Sequence, residues 1–147
     1  VKALLFLTAG NIHRAYGSKL TDDVAGARRR LPLSGWLFLV GFLASTGSPP
    51  FGPFRSLFTI VGAGIGQGRF VVAGLVLGFL LLVFLGMGST VLAVVQGEPS
   101  PSALSTTYRD NALTALPVLL LLVLVVLPGL YLPPFLDKLL RDAAVGL

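Results

Sequence analysis

Apolar residues run along most of the chain in four tracts, and short polar segments separate them. The tracts cover residues 1–12, 31–66, 70–95 and 112–132. Because a helix of about 20 residues crosses the roughly 30 Å hydrocarbon core of a bilayer, the third and fourth tracts each predict one full membrane helix. The first tract predicts the end of another helix. The pattern therefore predicts an all-α integral membrane protein, and we interpret the chain as the C-terminal piece of something longer.

The polar segments predict how this single membrane domain is arranged around the bilayer. A basic loop spans residues 13–30, a second loop spans 96–111, and a tail covers 133–147. Lys and Arg are enriched in cytoplasmic loops, so the five basic residues of the first loop place it in the cytoplasm. If the 31–66 tract crosses once, Arg109 is also cytoplasmic, whereas Arg69 and the tail lie outside. A complete hairpin over that tract would instead put Arg69 and the tail inside; the count of basic residues discriminates poorly between the two arrangements, and we favour the single crossing.

The second tract is too long for one ordinary span, and it is interrupted by the sequence GSPPFGPF at residues 47–54. Glycine loosens a helix and proline removes backbone donors, so we expect the helix to stop near Thr46 and restart near Phe54. The residues assigned to this break are Gly47, Pro49, Pro50, Gly52 and Pro53. Unwound backbone at membrane depth is tolerated where it is packed in protein or lines a wet cavity, and such helices often mark transport sites. The alternative is a proline kink that only shapes packing.

Two cations fall inside apolar tracts, and they have different chemistry. Lys2 precedes the run ALLFL, and an unpartnered lysine at the bilayer centre costs about 2.5–3.5 kcal/mol. A lysine held away from water can release its proton, which suits it to proton translocation. Arg55 stays protonated, so it can only supply a fixed charge to such a pathway. The alternative for Lys2 is a side chain that reaches the membrane interface.

The amino-acid composition of the chain excludes several classes of function. The chain is 54% hydrophobic and 12% charged, with no cysteine and one histidine. This excludes disulfides, thiolate metal sites and bis-histidine haem within these residues, and we expect no cofactor, metal or catalytic constellation. The net charge of +5 comes mainly from the 13–30 loop, and nothing suggests a nucleic-acid partner.

Three stretches resemble a known family. They are KALLFLTAGNI, RRRLPLSGW and GFLASTGSPPFGPF, and together they resemble the C-terminal third of the antiporter-like subunits of complex I, multi-subunit Na⁺/H⁺ antiporters and membrane-bound hydrogenases. Component F of the hydrogenase-4 and formate hydrogenlyase group is the most similar. The resemblance implies the C-terminal helices of an antiporter-like bundle with one discontinuous transmembrane helix.

The resemblance also implies a function. It is that of a proton-translocating subunit of a redox-driven complex, of the membrane-bound hydrogenase or NADH–quinone oxidoreductase type, with redox centres in other subunits. The implied partners are other membrane subunits, the lipid bilayer and protons, with Na⁺ as an alternative ion, in a prokaryotic inner membrane. A secondary cation/proton antiporter subunit and a non-conducting scaffold of the same family are the alternatives.

The resemblance allows two positions, Lys2 and Leu57, to be compared with charged positions of the family. Lys2 matches the family's lysine in the helix before the broken one, part of a polar axis along the membrane midplane. Leu57 stands where the family usually has a glutamate or lysine. Arg55, two residues earlier, lies on a different part of the helical surface and is not an obvious substitute. The terminal proton-exchange residue is therefore expected to be missing at its usual position.

Overall fold

The computed structural model describes residues 1–98 and 107–145, and all of the regular secondary structure in these ranges is helical. The helices are α1 (Lys2–Tyr16), α2 (Ala27–Arg30), α3 (Pro32–Ser45), α4 (Gly52–Gly66), α5 (Phe70–Gln96), α6 (Ala112–Leu130) and α7 (Pro134–Val145). Of these, α5 and α6 are long and apolar enough to cross a membrane, and α3 is a shorter apolar helix.

Several helix boundaries differ from those expected from hydropathy. Helix α1 continues four residues beyond Ile12 and ends at Gly17, which has a φ of 69°. The Gly17 N–H donates to the His13 carbonyl at 2.8 Å, a left-handed glycine cap that ends a helix regardless of where the polar residues begin. The predicted tail contains α7, whose spacing of Leu136, Leu139 and Leu140 is that of an amphipathic helix.

Helix α3 lies at the centre of the bundle and contacts α1, α2, α4, α5 and α6. One apolar cluster joins it to α1 and α6 through Leu4, Leu37 and Val118. A second joins it to α5 through Phe42 and Val91. These clusters hold the end of α3 in place, and the candidate site is built around that end.

The predicted cytoplasmic loop is folded against the helix ends. Its buried Val24 and Ala27 pack with Ile12, Tyr16 and Leu31 in a small apolar core. The Arg30 guanidinium lies 5.0 Å from the centre of the Tyr16 ring, and a cation over an aromatic face is attracted to it. The basic loop therefore packs against one end of the helix bundle.

The outer surfaces of α5 and α6 are strongly apolar. Phe79 and Leu82 on α5 are 64% and 65% exposed, and Leu124 on α6 is 63% exposed. Apolar surface this continuous marks contact with lipid or with another protein.

Candidate ion-translocation site

The long second tract forms two helices, with residues 46–51 between them. Helix α3 ends at Ser45 and α4 begins at Gly52. Gly47, in the connection, has a φ of 74°, which residues with a Cβ rarely adopt. Gly52 and Pro53 were assigned to the break, but they form the first turn of α4. Proline is favoured there because the first helical amides need no partner within the helix.

The connecting segment packs on α6 through a glycine. A Cβ added to Gly129 would meet the Pro50 carbonyl oxygen, and it would lie 2.6 Å from the Phe51 carbonyl carbon and 2.8 Å from the Gly52 nitrogen. All three atoms are backbone, so only the absence of a side chain at Gly129 allows this approach. Sequence reasoning did not single out Gly129, because its partner lies more than 70 positions away.

Leu57 lies against the connecting segment and α5. A Cβ at Gly47 would meet the Leu57 Cδ1 atom, so this side chain is in direct contact with the segment. A small cavity of about 160 Å³ is lined by Leu57 together with Leu77 and Leu80 of α5. The position where a charge was expected from the resemblance is therefore in apolar surroundings.

Lys2 and Arg55 line separate cavities. Lys2 lines a cavity of about 530 Å³ between α1, α3 and α5, whose lining includes Ser45, the last residue of α3. Arg55 lines another of about 700 Å³ between α4, α6 and α7. Both side chains are exposed at the surface of the described residues, so these helices alone do not enclose them. The structure thus places Lys2 beside the end of α3 and does not bring it together with Arg55.

A partly buried polar network, which sequence reasoning missed, anchors the start of α3. The Asp110 carboxylate accepts hydrogen bonds from the Leu33 N–H at 2.9 Å, the Ser34 N–H at 3.0 Å and the Ser34 hydroxyl at 2.6 Å. Asn11 of α1 donates its amide to the Ser34 oxygen at 3.4 Å and accepts from the Tyr108 hydroxyl at 3.2 Å. Asp110 therefore caps α3 from a position more than 70 residues away in the sequence. No local sequence pattern predicts a contact between residues so far apart.

We expect Asp110→Ala to lower the stability of the protein by about 1–2 kcal/mol, because it removes the acceptor for two helix-start amides and a hydroxyl. Asp110→Asn keeps one acceptor oxygen and should cost less. The measurement is the thermal unfolding midpoint in detergent, with Asp22→Ala, an exposed loop carboxylate, as the matched control. Equal midpoints for Asp110→Ala and Asp22→Ala would contradict the capping role.

Within the described residues no group of three His, Cys, Asp or Glu side chains is placed to hold a metal ion. The site offers a lysine in one cavity and an arginine in another, and both cavities are lined by residues next to the 46–51 connection between α3 and α4. Lysine can gain and lose a proton and arginine holds its charge, so the arrangement suits ion movement better than bond-making chemistry.

All of the described regular secondary structure is helical, and α5 and α6 are long and apolar enough to cross a membrane, with strongly apolar exposed surfaces. Residues 1–84 match the family described as NADH:quinone oxidoreductase/Mrp antiporter, transmembrane, and the chain belongs to that family.

The chain is similar to an antiporter subunit, a hydrogenase component and a dehydrogenase subunit. It is 26% identical over 141 residues to a Na(+)/H(+) antiporter subunit of Bacillus subtilis, covering 94% of this chain and 28% of that protein. It is 28% identical over 138 residues to a hydrogenase-4 component F homolog of Methylacidiphilum infernorum, covering 90% of this chain and 27% of that protein. Over 61 residues it is 28% identical to an F(420)H(2) dehydrogenase subunit of Methanosarcina mazei, covering 42% of this chain and 12% of that protein. The chain thus spans less than a third of the length of these relatives.

Proposed function

We propose that the chain forms the C-terminal part of a proton-translocating membrane subunit of a redox-driven complex. The observation that carries this proposal is the position of Lys2, whose cavity reaches the last residue of α3 at the helix interruption. A proton-exchanging amine beside unwound backbone is a combination suited to moving ions through a membrane. Family membership supports the same function, as does similarity to a hydrogenase-4 component and to a component of a dehydrogenase.

We propose further that α3 and α4 are the two halves of one discontinuous membrane crossing. The 14 residues of α3 rise by about 21 Å, so a helix that starts at the cytoplasmic surface reaches the interruption inside a hydrocarbon core about 30 Å thick. Packing against Gly129 gives this backbone a protein environment, as unwound segments in a membrane require. The 13–30 loop then lies in the cytoplasm, and the α4–α5 turn lies outside.

The partners in this proposal are other membrane subunits, lipid and protons. The exposed faces of α5 and α6 provide apolar surface for the first two. The relatives named above come from bacteria and an archaeon, which supports a prokaryotic plasma membrane as the location. Electron transfer belongs to other subunits in this proposal.

A secondary cation/proton antiporter is the second candidate function. Similarity to a Na(+)/H(+) antiporter subunit over 94% of the chain favours it. In that case a sodium gradient, with no electron donor, would drive proton movement through the same residues.

The purified complex containing the full-length subunit, reconstituted in vesicles with a pH-sensitive dye, separates the two functions. We expect proton uptake into the vesicles on addition of an electron donor and acceptor, and none on imposing a sodium gradient alone. Proton movement driven by the sodium gradient, with no response to electron transfer, would instead establish the antiporter function. No proton movement under either condition, from a fully assembled complex, would overturn both functions.

A further inference from the structure

The cavity that contains Arg55 also contains a carboxylate. Asp137 of α7 lines it together with Arg55, Ser56 and Thr59 of α4, whereas α6 contributes apolar side chains. Arg55 and Asp137 are the charged side chains among the described residues that line this cavity. Opposite charges facing one cavity attract each other, and three polar side chains on α4 give water further hydrogen-bonding partners.

The polar side chains of α4 form one face of the helix. Positions 55 and 59 are one turn apart, with position 56 beside them, and the Thr59 hydroxyl donates back to the Arg55 carbonyl at 2.9 Å. Leu57 lines the separate cavity towards α5, against Gly47. The side of α4 that carries the family's usual charge position is therefore apolar, and the polar side faces α7.

The start of α1 links this cavity to Lys2. Val1 lines the Arg55–Asp137 cavity, and the next residue, Lys2, lines the cavity towards α3 and α5. Val1 and Lys2, which are consecutive in the chain, therefore line the two cavities. Apolar surroundings at Leu57 offer no comparable acceptor on the other face of α4.

We propose that Asp137 is the proton-exchanging carboxylate of the outer half of the pathway, in place of the charge absent at Leu57, and that Arg55 is its fixed counter-charge. This inference rests on the proposed function. A proton passes from the Lys2 ammonium through water to the Asp137 carboxylate, leaving a neutral amine and a carboxylic acid. The acid releases the proton to water outside, and Lys2 takes its next proton from the cytoplasmic side. Arg55 keeps its charge throughout.

The test uses Asp137→Asn and Asp137→Glu in the full-length subunit, in the reconstituted complex. We expect Asp137→Asn to lower proton flux at least tenfold while the complex stays assembled and transfers electrons, and Asp137→Glu to retain most of the flux. Asp142→Asn, an exposed carboxylate on the same helix, is the matched control and should pump normally. Normal pumping by Asp137→Asn would overturn the inference, as would equal losses in the Asn and Glu variants.

Lys2→Ala in the same vesicles separates this inference from the proposed function. Loss of pumping in Lys2→Ala with normal pumping in Asp137→Asn would overturn the role of Asp137 alone. Normal pumping in Lys2→Ala would overturn the proposed function itself.

Water access to the cavity lined by Arg55 and Asp137 can be measured separately from proton flux. These 147 residues contain no cysteine, so Thr59→Cys provides a single reporter in this region. A membrane-impermeant thiol reagent should reach it from outside, whereas Arg28→Cys should react only from the cytoplasmic side. Protection of position 59 from the outer reagent, in a variant that still pumps, would overturn an outer pathway through this cavity.

Discussion

A full-length chain carrying Lys2→Ala is expected to assemble with its partner subunits and to lose proton pumping by about 100-fold or more. Proton transfer through a positioned side chain contributes about 10²–10⁴-fold to a rate, and alanine removes the group that carries the proton. Assembly should survive because the Lys2 side chain is exposed, while Leu4, two positions on, is buried in the contact with α3 and α6. Dye-monitored pumping by reconstituted vesicles gives the measurement.

Arg55→Leu gives a useful contrast to Lys2→Ala. Arg55 cannot pass a proton on, and it lines a different cavity, so its loss should weaken pumping or change its pH dependence without eliminating it. Lys19→Ala, in the exposed part of the 13–30 loop, is the matched control for removal of a lysine and should have no effect. Full pumping by an assembled Lys2→Ala complex would refute the relay role and favour a scaffold.

Gly129→Ala is expected to disrupt the helix interruption, and Gly129→Val should do so more strongly. A Cβ at this position meets the backbone of the 46–51 segment and of Gly52, and backbone cannot rotate away as a side chain can. Overpacking of this kind typically costs about 1–3 kcal/mol, so either α6 or the start of α4 must shift. We expect a lower unfolding midpoint in detergent and at least a tenfold loss of pumping.

Gly62→Ala is the control for this change. Gly62 lies on α4, which follows the 46–51 segment, and a Cβ added there meets no atom of the described residues within 4 Å. It should match the wild type in stability or exceed it slightly, since alanine favours a helix over glycine. Identical behaviour of Gly129→Ala and Gly62→Ala would show that α6 does not depend on close contact with the interruption.

The sequence by itself determined the membrane class and the apolar tracts, and it predicted an interruption in the second tract. These features are local, since tract length matches bilayer thickness and proline and glycine act on their own backbone. The resemblance named the family, which the match over residues 1–84 shows. Helix ends were predicted less well. Glycine capping at Gly17 and proline in the first turn of α4 depend on backbone conformation rather than on hydropathy.

Only the tertiary structure decided which side chains meet. Asp110 caps α3 from a position 77 residues from Leu33, and Gly129 accommodates the interruption from the other end of the chain. Asp137 shares a cavity with Arg55, although α7 was expected to be a simple tail. Helical periodicity shows which residues share a face, but it does not show which helix lies opposite. That depends on how the whole bundle buries its apolar surface, which places Leu57 against Gly47 and turns Arg55 towards α7.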